Sequence, residues 1–78
     1  MNGTEKRAMQ AIGNTIATKR KSMNFTQVQL ATMCNLQPSQ IKAVEQGDRS
    51  YTIPTLLNIC ETLGIFSLTL NFYKDEQA

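Results

Sequence analysis

Side chains between residues 37 and 46 combine hydrogen-bonding groups with helical spacing. Six of them carry donors or acceptors: Gln37, Ser39, Gln40, Lys42, Glu45 and Gln46. The large apolar residues of this stretch, Ile41 and Val44, follow an i, i+3 spacing, which predicts a helix with a narrow buried stripe and a free polar face. The chain contains no His, and we find no paired carboxylates or glycine-rich phosphate loop. We therefore expect a binding surface and not an enzyme.

A helix that precedes this stretch has three start signals. Thr26 is a preferred N-cap, Gln29 stands at the capping-box position, and Phe25 and Leu30 have the spacing of a hydrophobic staple. Asn tolerates positive φ, so we expect this helix to end in a turn at Asn35 and the residue after it.

The next helix is expected to begin at Gln37, with Pro38 in its first turn, and to end at Gly47 in a left-handed cap. Two short helices joined by a tight turn, the second with an exposed polar face, are suited to enter a DNA groove.

The same residues resemble the helix-turn-helix of the phage-repressor type, the Cro/Xre family, over roughly residues 12 to 64. The usual family pattern is TQ-x-x-LA followed by G-(V/I)-S-x-x-x-(I/V)-x-x-(I/W)-E-x-G. The run that carries the resemblance in this chain consists of Thr26, Gln27, Gln29, Leu30, Ala31, Asn35, Leu36, Ile41, Val44, Glu45 and Gly47. Two positions depart from the pattern: Asn35 replaces the turn glycine, and Gln37 replaces the common Ser or Thr cap, which weakens that cap.

The resemblance implies that double-stranded DNA is the partner, with no cofactor or metal. Residues at the start of the second helix and one turn on would approach base edges: Gln37, Pro38, Ser39, Lys42 and Ala43. Others would contact phosphates: Asn14, Lys19, Thr26, Gln27, Gln40, Gln46, Arg49 and Tyr51. It also implies a structural ion pair between Arg20, on the first helix, and Glu45 on the recognition helix.

Two further helices are expected around this unit. The first runs from about Thr4 to Ser22, with Met9, Ile12, Ile16 and Met23 at helical spacing and Gly13 as a mild weak point. The last begins after a Thr52 cap, carries Pro54 in its first turn and ends at Gly64. The fold class is mostly α, a repressor-like domain of four to five helices, in which residues 4–64 form the helical core of a single domain spanning 1–78.

A different pattern follows the last helix. Four large apolar residues alternate with polar ones at a period of two: Phe66, Leu68, Leu70 and Phe72. This alternation predicts a strand over residues 65–73, which is followed by a tail at 74–78. A single strand leaves its backbone groups unpaired, so we expect it to pair with the same strand of a second copy in a homodimer. The alternatives are a strand folded against its own helices and an apolar tail that binds another protein.

Charge divides the chain unequally. Residues 1–50 hold seven Lys or Arg and three Asp or Glu, a net +4, whereas residues 51–78 hold one and three, a net −2. A positive half that carries the motif fits phosphate binding, although a solvated surface with chance asymmetry explains it equally well. We find neither a secretory leader nor a membrane span, so we expect a cytoplasmic, nucleoid-associated protein with Cys34 and Cys60 reduced and buried.

Three functions fit these features. The leading one is a sequence-specific, homodimeric transcriptional regulator, most simply a repressor that reads an inverted-repeat operator through helix 37–46. The second is an antitoxin subunit that binds a cognate toxin as well as DNA. The third is a protein-interaction module that keeps the fold without DNA binding.

Overall fold

Four helices account for most of the chain in a computed structural model that describes residues 3–48 and 50–67. They are α1 (Gly3–Ser22), α2 (Gln27–Cys34), α3 (Pro38–Glu45) and α4 (Ile53–Leu63). The mostly helical fold predicted from the sequence is confirmed. Most of the predicted strand, from residue 68 onward, lies outside the described residues, and its first three residues, 65–67, form neither helix nor strand.

The core lies where the four helices meet. Its fully buried side chains come one or two from each helix: Ile16, Leu30, Ile41, Val44, Ile59 and Leu63. Contacts join α3 to both α1 and α2, and join α4 to the same two helices. The helix-turn-helix is thus packed between the first and last helices, as the apolar spacing predicts.

The predicted first-helix stripe is only partly in the core: Ile16 is fully buried, Ile12 packs against the core, and Met9 is half-buried. Met23 lies one residue beyond the end of α1 and remains 38% exposed, whereas Arg20, a charged residue, is buried with 8% exposure. The buried face predicted from helical spacing holds up to Ile16. In the last turn of α1, the guanidinium group of Arg20 is buried instead of the thioether of Met23.

The ends of the two short helices form as the sequence predicts. The Thr26 hydroxyl accepts the Gln29 amide N–H at 3.0 Å, and the Gln29 side chain accepts the Thr26 N–H at 2.8 Å. Asn35 adopts the left-handed conformation with φ +59°, and the Leu36 N–H then bonds to the carbonyl of Ala31 at 2.9 Å. This turn joins α2 to α3 through only three residues, 35–37.

Gly13 has a role that helix propensity alone does not indicate. A Cβ atom added there would lie 2.5 Å from the Val44 carbonyl oxygen and 2.6 Å from that of Glu45. Both contacts are to the backbone of α3, which cannot move without the whole helix. The glycine expected to be a weak point in α1 is therefore what allows the end of α3 to lie directly against α1.

Candidate nucleic-acid interface

Helix α3 buries one narrow stripe and exposes the rest. Ile41 and Val44 are fully buried, as the i, i+3 spacing predicts. Of the five residues predicted to approach base edges, four are exposed: Gln37, Pro38, Ser39 and Lys42. The fifth, Ala43, is half-buried. A continuous face with an amide, a hydroxyl and an ammonium group is thus available to a groove.

The start of α3 is capped from inside the helix. The Gln40 side-chain oxygen accepts the backbone N–H of Gln37 at 2.8 Å, which is the reciprocal half of a capping box. The weakness expected from Gln37 at the cap position is thus offset by Gln40. Because this oxygen is already engaged, the amide NH₂ is the group through which Gln40 can meet a phosphate.

Glu45, the last residue of α3, joins three helices through its carboxylate. Arg20 of α1 donates from Nε to Oε2 at 2.7 Å and from Nη2 to Oε1 at 3.0 Å, the two-pronged geometry of a guanidinium and a carboxylate. Gln27, the first residue of α2, donates its side-chain N–H to Oε1 at 2.9 Å. The charged pair expected between Arg20 and Glu45 is therefore present, and Gln27 adds a link to α2.

Arg20 also fixes the loop before α2. Its Nη1 donates to the Phe25 carbonyl at 2.7 Å, and its side chain is 10% exposed, against 6% for Glu45. The hydrogen bond to Glu45 raises the pKa of Arg20, and the attraction of the carboxylate adds to this, while burial opposes both. Removing either partner would leave the other charge buried without compensation, so the pair holds α3 against α1.

The predicted phosphate contacts are placed in different surroundings. Asn14, Lys19, Thr26 and Gln46 are exposed, although the Thr26 hydroxyl already caps α2. Gln27 is half-buried and gives one amide hydrogen to Glu45, which leaves it a second one. Arg49 lies outside the described residues.

Tyr51, another of the predicted phosphate contacts, is half-buried. Its hydroxyl lies 3.6 Å from the Met9 sulfur, a weak hydrogen bond. Burial raises the pKa of this phenol, and the proximity of Cys60 raises it further. Tyr51 thus packs on the core and is tied to α1 before any DNA is bound.

Two features of the described surface were not predicted. The Asn58 amide nitrogen of α4 donates to the Cys34 carbonyl at the end of α2, a contact between residues 24 positions apart.

A shallow apolar groove is lined by α2 and the residue before its cap: Phe25, Val28, Gln29, Thr32 and Met33. Val28 is 60% exposed and Met33 50%, so two apolar side chains that line this groove are open to solvent. Because Leu30, Ala31 and Cys34 form the buried face of α2, two apolar residues outside that face, Val28 and Met33, could have indicated the groove, whereas a contact across 24 positions has no local signal.

This arrangement of two short helices, a left-handed turn and an exposed second helix defines a helix-turn-helix DNA-binding domain. The family model for the Cro/C1-type helix-turn-helix matches residues 16–70, and the chain belongs to this family, whose members are DNA-binding transcriptional regulators. No curated protein matches the chain. Among residues 3–48 and 50–67, no helix is both long and apolar enough to cross a membrane.

Proposed function

We propose that this DNA-binding regulator is a homodimeric repressor that reads an inverted-repeat operator through α3. The observation that carries the proposal is the combination of an exposed polar face on α3 with a buried polar anchor at its end. Gln37, Ser39 and Lys42 are exposed, and Glu45 is held by Arg20 and Gln27. A helix that is already held rigidly loses little conformational entropy when it enters a groove, and this favours sequence-specific contacts.

The side chains of α3 are suited to different DNA groups. Lys42 can donate to the O6 and N7 acceptors of guanine, and the Ser39 hydroxyl can either donate to or accept from a base edge. Pro38 and Ala43 can contact the methyl group of thymine. Lys19 lies in the basic last turn of α1, where it can neutralise a phosphate and fix the register.

The homodimer is proposed from the C-terminal alternation of residues 66–72. Phe66, the member of this pattern that the structure describes, is 90% exposed, so a large aromatic side chain has no cover within the described part of the chain. Pairing with the same segment of a second copy would cover it and would place two α3 helices in successive major grooves, about 34 Å apart.

A truncation tests the dimer. Deleting residues 66–78 should give a monomer in sedimentation equilibrium and weaken operator binding strongly, because each half-site would then bind alone. A truncated protein that remains dimeric would contradict pairing through this segment. Replacing only Asp75 and Glu76 by Ala in the full chain is the control, and it should leave the dimer intact.

Selection of bound sequences from a random duplex pool tests the proposed readout. It should enrich an inverted repeat with half-sites about one helical turn apart, at physiological salt so that purely electrostatic binding is weak. If no motif is enriched, sequence-specific readout is wrong.

The apolar groove on α2 favours a second candidate, an antitoxin subunit that binds a cognate toxin as well as DNA. Val28 and Met33 line this groove together and are 60% and 50% exposed, so it offers an apolar surface to the side chains of a partner protein. Val28→Gln should then abolish co-purification of a partner protein while DNA binding stays unchanged, because it adds no charge and keeps the backbone N–H. A partner retained by that variant would exclude the groove as its binding site.

A further inference from the structure

A side chain from α4 holds the carbonyl at the end of α2. Asn58 Nδ2 lies 2.9 Å from the Cys34 carbonyl oxygen, in a partly buried contact. Cys34 is the last residue of α2, and the final carbonyls of a helix have no partner within it. A carbonyl only accepts hydrogen bonds, so the amide nitrogen of Asn58 is the group that can face it.

This contact lies close to the part of α3 that enters the groove. From the Cys34 carbonyl the chain passes through Asn35 and Leu36 and reaches the α3 cap, Gln37, three residues later. Within the turn, the Leu36 side chain packs against the core, but its N–H donates to the Ala31 carbonyl, a contact to α2. The Asn58 contact instead ties the end of α2, and the turn that follows, to α4.

The two ends of α3 are therefore held by different polar contacts. Its last residue, Glu45, is bound by Arg20 and Gln27, whereas its N-cap lies three residues after the carbonyl held by Asn58. The residues proposed to meet base edges lie mostly at the Asn58 end. A small movement of this end would misplace hydrogen bonds that tolerate displacements of only about 0.5 Å.

We propose that Asn58 is a positioning residue for DNA recognition, which sets the place of the α3 N-terminus without touching DNA. The proposal rests on the proposed function of α3 as the reading helix. It predicts that loss of the Asn58 donor weakens binding to the selected operator in protein that is still fully folded. A residue that only stabilises the fold would change the melting temperature and leave the affinity of the folded protein unchanged.

Two substitutions of similar size separate these roles. Asn58→Leu removes the donor at every pH, and it should weaken operator binding by about tenfold, the loss expected when a displaced α3 N-terminus forfeits about one base contact. Asn58→Asp keeps the shape, and its carboxyl can donate to the Cys34 oxygen only while protonated. Burial beside a carbonyl oxygen raises the pKa of such a carboxyl above its usual value of about 3.9.

The pH profile provides the readout. The affinity of Asn58→Asp, relative to the parent at each pH, should fall by about tenfold as the pH rises from 4.5 to 8, since the ionised carboxylate repels the carbonyl. The relative affinity of Asn58→Leu should not vary with pH. Measuring the parent at each pH corrects for every other titrating group. Leu57→Asp, which adds the same carboxyl at a neighbouring position that is 61% exposed, is the control and should bind as the parent does.

Operator titrations are run well below the melting temperature of each variant, with helix content checked by circular dichroism. If both Asn58 variants bind as tightly as the parent across the pH range, the proposal is overturned. If the parent shows no sequence preference at all, the proposed function fails, and hydrogen exchange then tests the contact itself. The Leu36 and Gln37 amides should exchange faster in Asn58→Leu than in the parent, and equal rates would contradict any positioning of the turn.

Discussion

Substituting Gly13 tests whether α3 must lie directly against α1. In Gly13→Ala the new methyl carbon would lie 2.5 Å from the Val44 oxygen and 2.6 Å from the Glu45 oxygen. Ordinary contact begins at 3.4 Å, so α1 and α3 would have to separate by about 0.9 Å. The same change moves the carboxylate of Glu45 relative to Arg20, which weakens a buried ion pair whose distances are 2.7 and 3.0 Å.

The steric cost should exceed the helix propensity that alanine brings. Overpacking of this kind costs about 1–3 kcal/mol, and the cost lies at the upper end here because both clashes are with backbone. Replacing glycine by alanine in a helix interior stabilises the helix by about 1 kcal/mol. We expect a net loss of about 2 kcal/mol, which lowers the melting temperature of a domain this size by about 10 °C.

Thermal unfolding followed by circular dichroism measures this loss. Gly3→Ala is the matched control, because Gly3 also lies in α1 and has no atom within 4 Å of the added methyl group. The control should melt at or slightly above the parent temperature. If Gly13→Ala melts as high as Gly3→Ala does, the close approach of the two helices is not required and the reasoning is refuted.

Four further substitutions test other contacts. Glu45→Ala should destabilise the fold by about 3 kcal/mol because a buried guanidinium loses its partner, and a melting temperature within a degree of the parent would contradict this. Lys42→Ala should weaken operator binding by about 1–3 kcal/mol and relax its sequence preference, whereas Lys19→Ala should weaken all duplexes alike and reduce the salt slope by about 1. Equal effects on specific and nonspecific DNA would remove Lys42 from base readout. In a Tyr73→Phe background, absorbance should show Tyr51 ionising above pH 10, since burial raises its pKa. Its folded pKa exceeds the unfolded value, so stability contributed by the neutral phenol is present below pH 10 and is lost as the pH rises further; a midpoint at 10 would contradict its burial.

Features encoded within a few residues could be predicted from the sequence. The Thr26 cap, the left-handed Asn35 and the Thr52 and Gly64 ends of α4 all depend on local backbone preferences, and each forms in the structure. The apolar stripe of α3 was equally accessible, because Ile41 and Val44 alone specify which face is buried.

Contacts between distant residues could not be predicted in the same way. The role of Gly13 depends on the backbone of α3 more than thirty positions away, and that of Asn58 on a carbonyl 24 positions away. Gln27 appeared as a phosphate contact because the end of a helix is suited to that role, and the structure adds its bond to Glu45. Such bonds depend on how helices pack, which spacing along the chain does not specify. The C-terminal strand and the homodimer remain predictions.

Mapping of amide chemical shifts during titration with the selected operator tests the central claim most directly. If α3 reads the DNA, the largest changes should fall on residues 37–43 and on the amides at the start of α2, while the exposed face of α4 at Ile53 and Leu57 stays unchanged. Changes that fall on the apolar groove of α2 or on α4, with residues 37–43 unaffected, would contradict the account.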